Sequence, residues 1–519
     1  MSLLAVSTRL ALATAAMVLS ACAVLPHGVE RTQSHAIAVT PATALGAMAI
    51  AAAPDRALSG FRLLSAPDFA FNARTELLTR AQQSLDVQYY EIRDDASGRH
   101  FLRLLRDAAE RGVRVRLLVD DLYTAGEDSL LLGLAAQPRV EVRLFNPFPA
   151  GRDHTSSKFL ASLFDVGRVN RRMHNKMMIA DSAFAVVGGR NIADDYFLQS
   201  VWTNFLDLDA LVTGALVPRL SQIFDRYWNG APAYPIEAIA ASDLSPAERR
   251  QFFNERVSQG GVLPAAALPS KDMLGHAPLG DDMQKGTLDL IWASAEVIAD
   301  APEKVLGGHA NGVRQQFVER VREATAEVVA TTPYLIPGRE GMKTIRSLRE
   351  RDVRIAMLTN SLAATDEPLA FAGYLRYRTP MLRLGVDIHE VTPSRVAQSR
   401  RFRLFGSSSG RLHAKAVVID QRTVFLGSMN MDPRSRTHNA EMGLFIDSPE
   451  LARQILTLIE FAKRDAAYQV RLTADGATAW SHADPQDDHP STFSEEPETS
   501  LWRRLLFRLL QHLVPEGLL

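Results

Sequence analysis

Cysteine is almost missing from this chain. Of 519 residues only Cys22 carries a thiol, so neither a disulfide framework nor a cysteine metal cluster can form within one chain. Net charge is missing as well. Lys and Arg number 58 against 59 Asp and Glu, a formal charge of −1, so no global basic field points to nucleic acid, although a local basic groove stays open. Lysine itself is scarce. Only Lys158, Lys176, Lys271, Lys285, Lys304, Lys343, Lys415 and Lys463 occur, and every other basic residue is Arg, which gives each lysine added interest. No Gly-rich phosphate loop is present, so nothing supports a generic nucleotide-binding α/β fold. Past the first residues no apolar run reaches the length of a membrane span.

What is present begins with a leader. Arg9 precedes the apolar run Leu10 to Leu19, and Leu19-Ser20-Ala21-Cys22 follows with small residues before a cut. That pattern reads as a secretory signal over residues 1–21, and its last four residues resemble a bacterial lipobox, in which Cys22 is lipidated after cleavage. The competing reading is an uncleaved signal anchor. Ala23 stands where an Asp would favour inner-membrane retention, which weakly favours the outer membrane of a bacterial envelope. Residues 22–60, rich in Ala, Thr and Pro without a clean period, read as a tether.

The remaining chain repeats itself. With 46% hydrophobic residues it can build two domains with sizeable cores. Helix-strand-helix-strand-strand patterns run through Thr75–Arg80, Leu85–Tyr90, Phe101–Arg111, Val113–Asp120 and Val140–Phe145. The same order returns at Phe317–Thr325, Glu327–Thr332, Met342–Arg351, Val353–Leu358 and Val386–Val391. Alternating strands and helices predict α/β layers with a largely parallel core sheet, and the repeat predicts two lobes, residues 61–239 and 311–470. Residues 240–310, with a mixed-charge helix from Pro246 to Gln259, read as an inter-lobe connection that packs over the site. Residues 471–519 read as a flexible acidic segment followed by a C-terminal amphipathic helix.

Each lobe ends in one motif. His174-Asn175-Lys176 with Asp181 and Gly188-Gly189-Arg190-Asn191 matches His413-Ala414-Lys415 with Asp420 and Gly427-Ser428-Met429-Asn430. Both fit H-x-K-x4-D-x6-G-[GS]-x-N. On a strand, residues two apart share a face, so each His and Lys point the same way. The Asp, seven residues on, has the wrong parity for a continuous strand and is expected at the turn that follows. The apolar run after it returns as a second strand, bringing the small residues and the Asn beside the His-Lys pair. Chance gives about one H-x-K-x4-D per hundred chains of this length, and two at matching places in a repeat are not accidental.

These residue types suit phosphodiester chemistry. A phosphodiester needs a nucleophile that can later leave, which imidazole provides, and positive charge with donors around the phosphate oxygens. Lys176 and Lys415 supply charge; Asn191, Asn430 and Ser428 are the candidate donors. The motif has no carboxylate cluster of metal-binding type, and no metal or cofactor is expected.

The two motifs are those of the phospholipase D superfamily, which the chain resembles over roughly residues 60–470. Leu85–Tyr90, Arg111–Asp121, Val140–Pro147, Asn170–Lys176 and Phe205–Asp209 further resemble the C-type branch of bacterial cardiolipin synthases. The resemblance implies two duplicated α/β/α lobes with mixed, largely parallel sheets, facing each other around a shared site complete within one chain. It implies a catalytic set of His174, Lys176, Asp181, His413, Lys415 and Asp420, with His174 attacking phosphorus and His413 as general acid/base. Asp181 and Asp420 are expected to hold the turn rather than react. Each His needs an acid to fix its tautomer, and aligning Glu441–Ile446 with Asp207–Val212 nominates Glu441 and Asp207.

The C-terminus points to lipid. Trp502, Leu505, Leu506, Leu509, Leu510 and Leu513 fall on one helical face, bordered by Leu501 and Phe507, with Arg503, Arg504 and Arg508 opposite. Such a basic amphipathic helix suits an anionic membrane surface, the alternative being docking on the protein core. The expected activity is phosphatidyl transfer of cardiolipin synthase type, with phosphatidylglycerol as acceptor and phosphatidylethanolamine as a candidate donor. A hydrolytic phospholipase D, a nuclease or soluble-substrate phosphodiesterase, and a silent membrane scaffold are the alternatives. Nucleic acid is not the expected partner.

Overall fold

The computed structural model describes residues 24–259, 268–308, 312–399, 409–482 and 491–515. The leader and Cys22 lie outside the described residues. Nine strands belong to the first half: β1 (Ser59–Leu64), β2 (Ser84–Tyr89), β3 (Arg114–Asp120), β4 (Val140–Phe145), β5 (Met177–Ala180), β6 (Phe184–Gly188), β7 (Thr203–Leu206), β8 (Asp209–Gly214) and β9 (Ala233–Pro235). Eight of them form a sheet in the order β9-β4-β3-β2-β5-β6-β8-β1. Only β2, β3 and β4 run parallel, each joined to the next by a helix that carries the chain back to the same edge; the other neighbours pair antiparallel. The sheet is therefore mixed, with a parallel centre, rather than largely parallel.

The second half rebuilds this sheet with β10 (Ile291–Ala299), β11 (Glu327–Thr331), β12 (Arg354–Asn360), β13 (Asp387–Val391), β14 (Ser409–Leu412), β15 (Ala416–Ile419), β16 (Thr423–Gly427), β17 (Met442–Asp447) and β18 (Ala467–Leu472). Its order is β18-β13-β12-β11-β15-β16-β17-β10, the same as the first with β14 set aside as β7 is. An antiparallel pairing of β1 with β10, Ser59 opposite Ala293, fuses the two sheets. Side chains from both halves share one central core, where Met177 and Val187 meet Val418 and Leu426. The helices Val217–Trp228 and Pro449–Ala466 fill that central layer, and each half keeps a further core on its outer face.

Three segments differ from the sequence expectation. The stretch read as a tether is bound to the first lobe. Buried Arg116 and Arg143 donate to the carbonyls of Ser34 and Thr32, at 2.8 and 2.5 Å, and helix Ala44–Ala52 sinks Leu45 into the core. Burying guanidinium groups is costly unless acceptors come with them, and this strand-like stretch supplies them. The described residues of the connection 240–310 do not pack over the site. Its helix Pro246–Ser258, opened by a Ser245–Glu248 capping box, lies on the outer face of lobe 1, where Arg106 donates to Asn254. Its end is β10, the counterpart of β1, so the second sheet starts near residue 291. The acidic segment extends the second sheet through β19 (Thr478–His482) and β20 (Ser491–Phe493), because Trp480 donates to buried Glu390 at 2.8 Å.

The C-terminal helix, Leu501–Leu513, docks on the second lobe through one buried residue of its apolar side and leaves most of the rest bare. Phe507, a bordering residue of the apolar face, is buried against Phe371 of helix Pro368–Arg383. Trp502, Leu505, Leu506, Leu509 and Leu513 remain exposed, Trp502 at 80%. Among the described residues no helix is long and apolar enough to cross a membrane.

Candidate active site

The site is sewn together by two short parallel pairings between the lobes. β7 of lobe 1 runs beside β14 of lobe 2, with Leu206 opposite Leu412. The next residues are Asp207 and His413. On the other side of the pocket Met173 bridges Ala440 in the same parallel sense, and the next residues are His174 and Glu441. Backbone bonds lock both seams: His413 N–H donates to Leu206 at 2.8 Å, and His174 N–H donates to Ala440 at 2.8 Å. Each histidine is thereby set beside an acid from the opposite lobe.

Both histidines are held through Nδ1. His174 Nδ1 lies 3.0 Å from Glu441 Oε2 and 3.0 Å from the Ser428 carbonyl. Two acceptors at one ring nitrogen require the proton to sit there, which leaves the Nε2 lone pair free. His413 Nδ1 lies 2.5 Å from Asp207 Oδ2 and takes the same tautomer. Burial pushes His174 down to about 4, against the opposing pull of Glu441, and burial likewise lowers His413. At neutral pH the His174 ring is uncharged and its Nε2 lone pair is nucleophilic. Burial would raise the Asp207 and Glu441 carboxyls, but their histidine partners hold both below the ordinary carboxylate range. Tyr90 packs edge-on against His174 and Tyr196 against His413, ring centres 4.9 and 5.2 Å apart, fixing the ring planes.

Lys176 and Lys415 complete the charge pattern. Each Nζ donates to the carbonyl of the histidine two residues before it, Lys176 at 2.7 Å, and neither pairs with a carboxylate among the described residues. Burial first, then the nearby Lys415, pushes Lys176 down to about 7; burial pushes Lys415 to about 8. Two close cations without counter-ions form a site for an anion. Both histidines face a cavity of about 1200 Å³, including its open mouth, that Asn191, Asn430, Arg172 and Arg434 also line.

The structure sorts the remaining sequence candidates. Asn430 lines the cavity with no hydrogen-bond partner for its Oδ1, whereas Asn191 is tied by its amide nitrogen to Tyr196 Oη at 2.9 Å. Ser428 does not face a phosphate: its hydroxyl donates to Glu441 Oε2 at 2.5 Å and so supports the acid behind His174. Asp181 and Asp420 leave the site altogether. Both sit in the left-handed turn, φ 51° and 50°, and cap the start of a neighbouring strand. Asp181 accepts from the N–H groups of Gln82, Gln83 and Ser84, and Asp420 from those of Thr325, Ala326 and Glu327. The motif glycines are steric. A Cβ on Gly189 would lie 2.1 Å from Asp207 Oδ1, and one on Gly427 2.3 Å from the Met442 carbonyl.

Sequence reasoning missed Ser435, which donates to Glu441 Oε1 at 2.8 Å, and Tyr196. They occupy the same place in the repeat, eight residues past Gly427 and Gly188, so extending the motif alignment would have found both. It also missed Tyr90, Arg172 and Arg434, although Arg172 stands two residues before His174 as Arg411 does before His413.

The family profile described as cardiolipin synthase, PLD-like domain, matches residues 75–228 and 317–461, one block in each lobe. The chain belongs to this family. It is an enzyme of the phospholipase D superfamily, of phosphatidyltransferase or phosphodiesterase type. It is 37% identical to cardiolipin synthase C of Escherichia coli over 468 residues, 87% of this chain and 94% of that one. It is 27% identical to cardiolipin synthase A of Pseudomonas fluorescens over 396 residues, 76% and 66% of the two chains. A phosphatidylserine synthase structure from Haemophilus influenzae covers 89% of this chain and 98% of its own, with a TM-score of 0.55 and 16% identity, a likeness of fold.

Proposed function

We propose that this enzyme makes cardiolipin by phosphatidyl transfer through a covalent phosphohistidine. The observation that carries the reading is the pair of histidines, each bound at Nδ1 by an acid of the other lobe, beside two buried lysines that form no direct ion pair among the described residues. His174 Nε2 attacks the donor phosphorus while His413, entering this step as the imidazolium with Asp207 against its Nδ1–H, gives its Nε2 proton to the leaving headgroup oxygen. Lys176, Lys415 and Asn430 hold the non-bridging oxygens, where charge builds in the transition state. The headgroup alcohol departs and the phosphatidyl group stays on His174. His413 then takes the proton from a glycerol hydroxyl of phosphatidylglycerol, that oxygen attacks phosphorus, and the P–N bond breaks. The products are cardiolipin and free His174. Water in place of the acceptor gives phosphatidic acid. The sequence identity with cardiolipin synthase C supports the choice of acceptor.

The lipobox-like leader supports attachment to the bacterial envelope through lipidated Cys22, with the outer membrane favoured. The exposed face of the C-terminal helix supports a second contact with the membrane.

The test is a lipid assay in membranes of a host without its own cardiolipin synthases, carrying this chain or His174→Ala. Labelled phosphatidylglycerol and phosphatidylethanolamine are followed by mass spectrometry. Cardiolipin formed only by the intact chain is the expected result, and the labels name the donor. Phosphatidic acid without cardiolipin would make the enzyme a hydrolase. Neither product from folded protein would reject a lipid substrate.

A further inference from the structure

The segment 155–169 stands between the catalytic cavity and the outside. It comprises helix Thr155–Ala161 and the short helix Val166–Val169. Its inner side chains, Phe159 and Val169, form cavity wall. Its outer side chains are apolar and bare: Leu160 is 66% exposed, Leu163 59%, Phe164 81% and Val166 44%. Four large apolar groups in seven residues are costly to leave in water.

The segment is firmly anchored, so this exposure is built in. Lys158 is buried and donates to the Asp121 carbonyl at 2.7 Å and to Thr124 Oγ1 at 3.0 Å. Phe159 packs on Phe148, ring centres 5.3 Å apart. Arg168 donates to Asn146 Oδ1 at 2.6 Å. Arg434 of lobe 2 reaches across and holds Asn170 through two bonds, at 3.0 and 3.1 Å. Across the mouth, Tyr123 and Leu369 line the cavity and are themselves exposed. Leu369 opens helix Pro368–Arg383, the helix on which Phe507 docks the C-terminal helix with its bare apolar face.

We infer that segment 155–169 inserts its outer face into the lipid interface and presses the cavity mouth against the bilayer. Two observations choose a lipid surface over a protein partner. The apolar rim is continuous with the wall of the cavity that takes the substrate. A cation beside it is also open to anionic headgroups, since Arg171, two residues past Val169, forms no ion pair among the described residues, while Arg434 is engaged in holding Asn170. Substrate then enters from the bilayer plane without crossing water. The inference rests on the phospholipid reading above.

The test compares the full chain with Leu163→Ser/Phe164→Ser and with Leu244→Ser, an exposed apolar residue outside the rim. Turnover is measured on phosphatidylglycerol/phosphatidylcholine vesicles and on monomeric dihexanoylphosphatidylglycerol, and vesicle binding is read by flotation. The double variant is expected to lose at least about ten-fold in vesicle turnover and in vesicle affinity, with monomer turnover and the Leu244→Ser variant unchanged. An unchanged vesicle-to-monomer ratio and unchanged flotation would overturn the inference. Should the parent turn over neither lipid form, the phospholipid reading fails on its own. Flotation of parent and double variant still decides the insertion: equal binding rejects it, and weaker binding by the variant supports it.

Discussion

The two lobes set the same His-Lys pair just ahead of equivalent strands, β5 and β15, yet support it differently. Behind His174 stands Glu441, whose two oxygens are taken by the ring, Ser428 and Ser435. Behind His413 stands the shorter Asp207, 2.5 Å from the ring, with its other side-chain bond to the N–H of Leu208. The difference traces to one position. Where lobe 2 has Ser428, lobe 1 has Gly189, and the Asp207 carboxylate fills the space a side chain would need. Both asparagines leave Oδ1 without a partner, and Asn191 is further tied through its amide nitrogen to Tyr196. Duplication provided two equal histidines, and the acids behind them made them unequal. A rigidly braced acid suits a nucleophile whose direction matters. A single close carboxylate suits a ring that must carry positive charge briefly.

Replacing the histidines breaks this comparison most severely. His174→Ala and His413→Ala are each expected to lower transfer by about 10⁴-fold or more. A donor with a nitrophenol leaving group separates them. His413→Ala should still form the phosphatidyl-protein, since that leaving group needs no proton, and His174→Ala should not. An adduct that survives in His174→Ala would exchange the two roles. The acids come next. Asp207→Asn and Glu441→Gln should each cost about 10²–10³-fold in kcat. Gly189→Ala should approach Asp207→Asn in effect by displacing the carboxylate. Ser428→Ala, which leaves Glu441 held by Ser435, should cost only about ten-fold. Equal losses at the two positions would mean that the lobes are braced alike after all.

A smaller effect concerns pH. Lys176 sits at about 7 and Lys415 at about 8, so their charge is lost as pH rises through that range. Apparent KM for an anionic phospholipid should rise about ten-fold between pH 7 and pH 9, with kcat less affected. His174 gains a proton only near 4, so kcat/KM should fall toward that pH. Lys176→Arg should move the alkaline limb upward, at a cost in the maximum. A limb that stays in place would assign it to another group.

Much of this site was legible because local spacing dictates it. The turn-seated Asp and the Gly-Gly or Gly-Ser tail follow from two-residue alternation and a tight turn, whereas the His-Lys pairs, expected on a strand, stand just ahead of β5 and β15. Glu441 and Asp207 came from aligning the repeat. The pairing of each acid with the other lobe's histidine did not, because it depends on β7 meeting β14 and Met173 meeting Ala440, contacts between segments more than 200 residues apart. The segment 24–60 was misread for a related reason. Its partners are buried arginines on β3 and β4, and an alanine-rich stretch bears no mark of the guanidinium groups it will satisfy. Ser428 was given a phosphate because it aligns with a position lined by backbone; only the placement of Glu441 shows what its hydroxyl meets.

The smallest effect on activity, and the finest probe of the two lobes, belongs to the aspartates of the motifs. Asp181 is fully buried, and its carboxylate gathers three backbone N–H groups at the start of β2. Asp420 makes the equivalent bonds at the start of β11 but nearer to solvent. Removing a buried acceptor strands its donors, whereas water can replace an exposed one. Asp181→Ala should therefore destabilise the protein by about 2–4 kcal/mol and Asp420→Ala by about 1 kcal/mol, read from denaturant midpoints. Both variants, assayed well below their unfolding transitions, should keep turnover within about two-fold per folded molecule, because neither carboxylate touches the cavity. Folded Asp181→Ala protein that fails to turn over would return this residue to the chemistry.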